Sequence, residues 1–237
     1  MGTSDTDRKL FGTDGVRGVA NVHPMTPELA LRLGRAIAHT AGRDANGVPL
    51  RRAPRVVIGK DTRLSGYMIE TAIASGVCAM GGTVMLIGPI PTPAVAQLTP
   101  TMPRGAGVVM SESHNPFADI GIKIFGPDGF KLPDARESEI EALVAGAALD
   151  EASVTGEHIG GATKVEDARG RYIVFCKSTF PAKRSLDGLK IAVDAAHGAA
   201  YRVAPAVFHE LGADVSALGV RPNGVNINDG VGALHPE

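Results

Sequence analysis

Short, wholly apolar runs separated by amphipathic stretches confine this chain to few folds. Arg55 is followed by Val56-Val57-Ile58-Gly59, and Ala106-Gly107-Val108-Val109-Met110 carries no polar side chain. Strands that read as continuous apolar runs are buried on both faces, the state of parallel strands joined by helical crossovers. The intervening stretches have helical spacing. Over 26–41, Thr26 is placed to cap, Pro27 suits the first helical position and Glu28 complements the positive helix end. Leu29, Ala30, Leu33, Ala36 and Ile37 then mark one face, and Gly42 supplies a stop.

The same reading predicts helices over 66–80, 93–99 and 135–147, and strands over 55–59, 83–87, 106–111 and 122–126. Asp134 with Glu137 three residues later predicts a capping box. From Ala152 to Lys164 the pattern lapses into Gly156, Gly160 and Gly161, which predicts a domain boundary. A smaller β-α-β unit follows: helix 166–178, strand 190–194, helix 199–211 and strand 213–218. The expected fold class is α/β, with mixed, largely parallel sheets carrying helices on both faces. The expected domains are 1–155 and 156–237. About 80 residues of open α/β sheet make a marginal domain alone.

Composition excludes several functions. Lys plus Arg is 24 and Asp plus Glu is 25, so no basic excess points to nucleic acid or an anionic membrane. No stretch approaches the roughly 20 apolar residues of a membrane span. The acidic start, with Asp5 and Asp7, lacks a signal-peptide core. Cys78 and Cys176, far apart in apolar contexts, read as buried free thiols. A cytoplasmic protein is expected. His197 and His235 have no Cys or carboxylate at ligand spacing, and no carboxylate cluster suits a magnesium cage.

Chemistry concentrates in Ser113-His114-Asn115-Pro116, between two predicted strands. The loop lacks the glycines of a nucleophile elbow. Adjacent residues in extended chain point apart, which argues against His114 as a base for Ser113. Two readings stay open: a turn closed by side-chain hydrogen bonds, and a serine that carries phosphate. The second needs fixed cations. Lys123 is the local one. Arg17, in the glycine-rich Gly12-Thr13-Asp14-Gly15-Val16-Arg17-Gly18, is a distant one with a planar fork for phosphate. The bland reading of that segment is a tight hairpin with a solvated arginine. Gly59-Lys60-Asp61-Thr62-Arg63-Leu64-Ser65 reads as a strand-to-helix junction with a Ser65 cap and an Asp61–Arg63 surface pair. An anion site at the helix start is the other reading.

Taken in order, Phe11 to Gly18, Ser113 to Pro116 and Gly121-Ile122-Lys123 resemble the signatures of the α-D-phosphohexomutases. Gly126 to Pro133, Asp167 to Tyr172 and Asn226-Ile227-Asn228 resemble the branch acting on glucosamine phosphates. The resemblance implies an intramolecular phosphotransferase of the isomerase class. It would interconvert glucosamine 6-phosphate and glucosamine 1-phosphate, on the route to cell-wall precursors, through phosphoserine at Ser113 and glucosamine 1,6-bisphosphate. It implies Ser113, His114, Lys123 and Arg17 as catalytic residues, and Arg17, Asn115 and Lys123 as substrate-binding ones. It implies Mg²⁺ on one oxygen of the Ser113 phosphate. The partner is a small sugar phosphate, and a homodimer is compatible.

Such proteins have four domains, and the resemblance covers the first two. The chain is therefore expected to be an N-terminal piece that is inactive alone, with the aspartate-rich metal loop and the sugar-reading loop following later. A non-catalytic binding or assembly module, and a phosphoglucomutase or phosphomannomutase, are the alternatives.

Three places in the chain depart from the family pattern. Glu112 stands before Ser113 where alanine is usual. Facing a phosphoserine at ~5 Å it would cost about 3 kcal/mol at an effective dielectric of about 20. Turned inward it would bury a lone charge. Ile120 stands where asparagine is usual and is expected to fit left-handed turn geometry poorly. Val231-Gly232-Ala233 stands where Cys-Gly-Ser is usual.

Overall fold

A computed structural model gives the protein's structure and describes residues 10–44, 47–101 and 105–236. The acidic start with Asp5 and Asp7 lies outside the described residues. Within them, eight strands and six α-helices alternate: β1 (Val16–Val19), α1 (Pro27–Ala41), β2 (Arg55–Lys60), α2 (Ser65–Ala79), β3 (Thr83–Pro89), α3 (Thr92–Leu98), β4 (Gly105–Met110), β5 (Asp119–Phe125), α4 (Asp134–Ala145), β6 (Ala162–Lys164), α5 (Ala168–Ser178), β7 (Lys190–Asp194), α6 (Val203–Glu210) and β8 (Asp214–Leu218).

The larger sheet has strand order β1-β5-β4-β2-β3-β6. Strands β4, β2, β3 and β6 run parallel, while β5 is antiparallel to both β4 and β1. The mixed, mostly parallel sheet expected from the apolar runs is therefore present. Strand alternation sends Val56, Ile58, Ala106, Val108, Met110, Ile122 and Ile124 into a core under α1, α2 and α4. Val57 and Val109 point into a second core with α3, α5 and Val203 of α6. Strand β4 is buried along its whole length, which is why it shows no polar position.

The segment 152–164, read from the sequence as a domain boundary, contributes β6 at the edge of the first sheet, pairing Val84 with Ala162. Strands β7 and β8 form a separate parallel pair. The Arg17 segment is a strand as well as a turn: Gly12 and Gly15 bridge each other, and β1 then pairs Arg17 with Gly121.

Thr26 caps α1 as expected, its hydroxyl accepting from the Leu29 amide at 3.4 Å. Two other caps do not form. Asp134 is already helical behind Pro133, and Glu137 instead receives Lys131 at 3.0 Å. Ser65 is the first residue of α2, and its buried hydroxyl has no hydrogen-bond partner. Cys78 and Cys176 are free but only half-buried, and burial raises the Cys78 pKa.

Helices α1 and α2 cross at glycines. A Cβ on Gly34 would collide with the Ile73 carbonyl, and one on Gly76 with the Leu31 carbonyl. Both obstacles are backbone, so the helices themselves must part. Gly76→Ala is expected to destabilise the fold by about 1–3 kcal/mol, although alanine favours an exposed helix over glycine by about 1 kcal/mol. Urea unfolding checks this, and an unchanged or raised midpoint would contradict the close approach.

Candidate active site

The carboxyl ends of the parallel strands share one edge of the sheet, where α/β proteins place ligands. Strand β4 delivers its chain there. The Ser111 amide still bonds the Gly121 carbonyl of β5 at 2.9 Å, and the chain then turns, with the Asn115 amide on the Glu112 carbonyl at 3.0 Å. At the top of the turn Ser113 is exposed and has φ of 46°. That left-handed conformation costs a non-glycine residue of order 1 kcal/mol and persists only where neighbours enforce it.

Arg63 is one enforcer. It stands at the junction of β2 and α2 and is fully buried. Its Nη2 donates to the Asn115 carbonyl at 2.7 Å and lies 3.4 and 3.5 Å from the Pro116 and Glu112 carbonyls. Its Nη1 pairs with Asp61 Oδ2, and Asp61 Oδ1 accepts the Arg63 amide at 3.0 Å. The expected Asp61–Arg63 surface pair is thus a buried one. Only a planar fork can hold a carboxylate with one nitrogen and loop carbonyls with the other.

The second unit holds the loop from outside. Asn228, itself left-handed at φ 59°, donates from Nδ2 to the carbonyls of Ser113 and Asn115, both at 2.9 Å. Thr62 donates to the His197 carbonyl at 2.5 Å, and the Leu64 amide to the Gly224 carbonyl at 2.9 Å. A cleft of about 440 Å³ lies between, lined by Asp61, Ser111, Ser113, His114, Asp194 and Asn228 among others. Asn115 is not among the lining residues, and its side chain donates to Asp119 at 3.0 Å. His197 accepts the Arg221 amide on Nδ1 at 3.1 Å.

Arg17 and Lys123 come together beside this loop, outside the cleft lining. Val16 and Ile122 pair and face the core, so Arg17 and Lys123 share the opposite face of β1 and β5 as a diagonal pair. One oxygen, Asp14 Oδ2, contacts both Arg17 Nη2 and Lys123 Nζ, the latter at 3.3 Å. On the other side Arg17 Nε lies 3.1 Å from Glu112 Oε1.

That contact corrects the expectation for Glu112. Its carboxylate is buried yet not alone, and the space it fills is the missing side chain of Gly121, where a Cβ would meet Glu112 Oε2. Oε2 itself has no hydrogen-bond partner. Ile120 is also accommodated. It lies within β5, paired with Gly18 and fully buried, so no left-handed turn is required of it. Val231 to Ala233 line the cleft, and the Gly232 amide donates to Asp194 Oδ2 at 2.7 Å.

Among the described residues, no group of three His, Cys, Asp or Glu side chains could hold a metal ion. Asp194, the carboxylate nearest in kind, spends both oxygens on the amides of Ala196 and Gly232. The residues present do not fit a Mg²⁺ cage.

The family model described as phosphoglucomutase/phosphomannomutase, α/β/α domain I, matches residues 8–150. A phosphoglucosamine mutase of Sorangium cellulosum is 72% identical over 230 residues, which are 97% of this chain and 47% of that protein. One of Desulfotalea psychrophila is 60% identical over 97% of this chain and 50% of its own length. The chain spans about half the length of these curated relatives. A phosphoglucomutase/phosphomannomutase family protein from Burkholderia thailandensis superposes with a TM-score of 0.70 at 25% identity, covering 91% of this chain and 44% of that one. The family anticipated from the three motifs is the one matched.

Removing Arg63 strands Asp61, which is 2% exposed, as an unpaired buried charge. Arg63→Met is expected to destabilise the protein by about 3–5 kcal/mol in urea unfolding. The double variant Asp61→Asn/Arg63→Met should regain part of that loss. A single-variant cost under about 1 kcal/mol would show a solvated surface pair instead.

Proposed function

The chain belongs to the phosphoglucomutase/phosphomannomutase family, and from that premise we propose that it serves a phosphoglucosamine mutase, with Ser113 as phosphoryl carrier. The supporting observation is that Ser113 is held left-handed at the mouth of a cleft while Arg63 and Asn228 fix the loop carbonyls beneath it. A serine positioned this way presents its Oγ without needing a neighbouring base, because the reactive species is the phosphate it carries. The names of the similar mutases favour glucosamine phosphates as substrates.

In the proposed reaction the bond between Ser113 Oγ and phosphorus breaks as a sugar hydroxyl oxygen bonds to phosphorus. The hydroxyl proton is relayed to Ser113 Oγ, which leaves phosphorus as a free hydroxyl, and glucosamine 1,6-bisphosphate forms. After reorientation, the second phosphate returns to Ser113 by the reverse step. Such transfers depend on positioning and on neutralising the equatorial oxygens. Arg17 and Lys123 supply positive charge, Lys123 also serves proton transfer, and His114 at the cleft wall orients the sugar oxygen. Asn115 acts on the substrate only through the loop it closes. A phosphate on Ser113 would supply Mg²⁺ with one oxygen ligand, and the described residues add no carboxylate cage beside it. The roles of Arg17, Lys123 and His114 stand without the ion. The proposed division is a phosphoserine domain to about residue 155 and a second domain from 156, with β6 stitching the second to the first sheet. A cytoplasmic location fits, and no described helix is long and apolar enough to cross a membrane.

A second reading, a non-catalytic binding module, draws on one observation: both cations are already engaged by carboxylates. Incubation with a hexose 1,6-bisphosphate followed by intact-mass analysis and peptide mapping separates the two. The mutase reading predicts one added phosphate on Ser113 and none in Ser113→Ala. Phosphate mapped elsewhere, or a Ser113→Ala chain modified as readily as the wild type, would favour the module.

A further inference from the structure

Arg17 and Lys123 carry two positive charges, and Asp14 and Glu112 return two negative ones. The two carboxylates are not equivalent. The Glu112 side chain is 6% exposed, is fitted over Gly121, and grips Arg17 by Nε. It is a fixed anchor for the guanidinium. The Asp14 side chain is 51% exposed and places one oxygen between the far nitrogens of both cations. Its backbone cannot swing away as a unit, because a tight turn closes Gly12 on Gly15, and Gly15, at φ 96°, sits against the Ile122 carbonyl. Its side chain alone is free to rotate into solvent.

We propose that Asp14 is a resident stand-in anion, occupying the position on Arg17 and Lys123 that a phosphate monoester dianion takes when it arrives. The arrangement follows from charge. With Asp14 in place the cluster is neutral and attracts no dianion. With Asp14 rotated out it holds one net positive charge, presented by a guanidinium edge that Glu112 has already oriented. Phosphate oxygens match that edge as the carboxylate does, with more charge and more acceptors. Exchange therefore swaps one anion for a stronger one, without leaving a bare cation pair in the free protein. The incoming group is either the phosphate carried on Ser113 or the phosphate of an incoming sugar. The second source, and the first when Ser113 is the carrier, rest on the proposed function. The anion site itself does not.

The test is calorimetric titration of the full 237-residue chain with inorganic phosphate, in the form free of covalent phosphate. Asp14→Asn removes the competing charge and keeps the side-chain shape. It is expected to bind phosphate about three- to tenfold more tightly than the wild type, the range set by two exposed ion pairs. Arg17→Ala, in the Asp14→Asn background, is expected to abolish the gain. Equal or weaker binding by Asp14→Asn, or no phosphate binding by either protein, would overturn the proposal. Repeating the titration on the chain bearing phosphoserine at 113 identifies the source. Binding lost there assigns the site to the Ser113 phosphate, and binding retained assigns it to an incoming monoester. Phosphate from a bisphosphate mapped to a residue other than Ser113 would refute the mutase reading and leave this result untouched.

Discussion

The buried pair of Asp61 and Arg63 is the constraint on which the site depends. A guanidinium with no solvent exposure must spend its donors inside the protein. Asp61 takes one side of it. Nη2 is directed at the carbonyls of the Ser113 loop, and the buried Nε is left without a partner. The desolvation cost of the charge is thus offset by fixing a loop that would otherwise relax out of its left-handed turn. Asn228 completes the hold from the second unit, so the loop is set only where both units meet. The order of construction is sheet edge, buried pair, loop, cleft.

Electrostatics then decides what the loop faces. Strand alternation and antiparallel pairing put Arg17 and Lys123 side by side on one face. Two like charges there need counter-charge in the free protein, and Glu112 and Asp14 supply it from opposite sides. Glu112 is compatible with a phosphoserine neighbour because its carboxylate turns inward to Arg17, in the space left by Gly121. Its unpartnered oxygen marks the residual cost of that solution.

Much of this was legible in the residues. The apolar runs gave the strands because burial on both faces leaves no room for a polar position. Thr26-Pro27-Glu28 gave the start of α1 because each residue answers a separate need of a helix end. The Ser113 loop and its two cations stood out as chemistry between strands. What could not be read was where the charges go. Asp61 and Arg63 are two residues apart and look like a surface pair. Only the tertiary fold brings the loop carbonyls over them, 52 residues on in sequence. Glu112 looked like a repulsive neighbour because its partner lies on another strand. Asn228 was visible only as part of a recognisable motif, since a carboxamide in a glycine-rich loop reads as a turn residue. Strand β6 was missed because three exposed residues, Ala162 to Lys164, have no apolar pattern and are ordered by the edge they join.

The most direct measurement is the rate at which Ser113 takes phosphate from a hexose 1,6-bisphosphate in Arg63→Lys against the wild type, followed by intact mass. Lysine keeps a charge for Asp61 but has no fork to reach the loop carbonyls as well. If the loop is a phosphoryl carrier held by Arg63, losing a charge-assisted hydrogen bond should slow phosphorylation about tenfold or more, with the variant still folded. A folded Arg63→Lys protein phosphorylated as fast as the wild type would contradict the account.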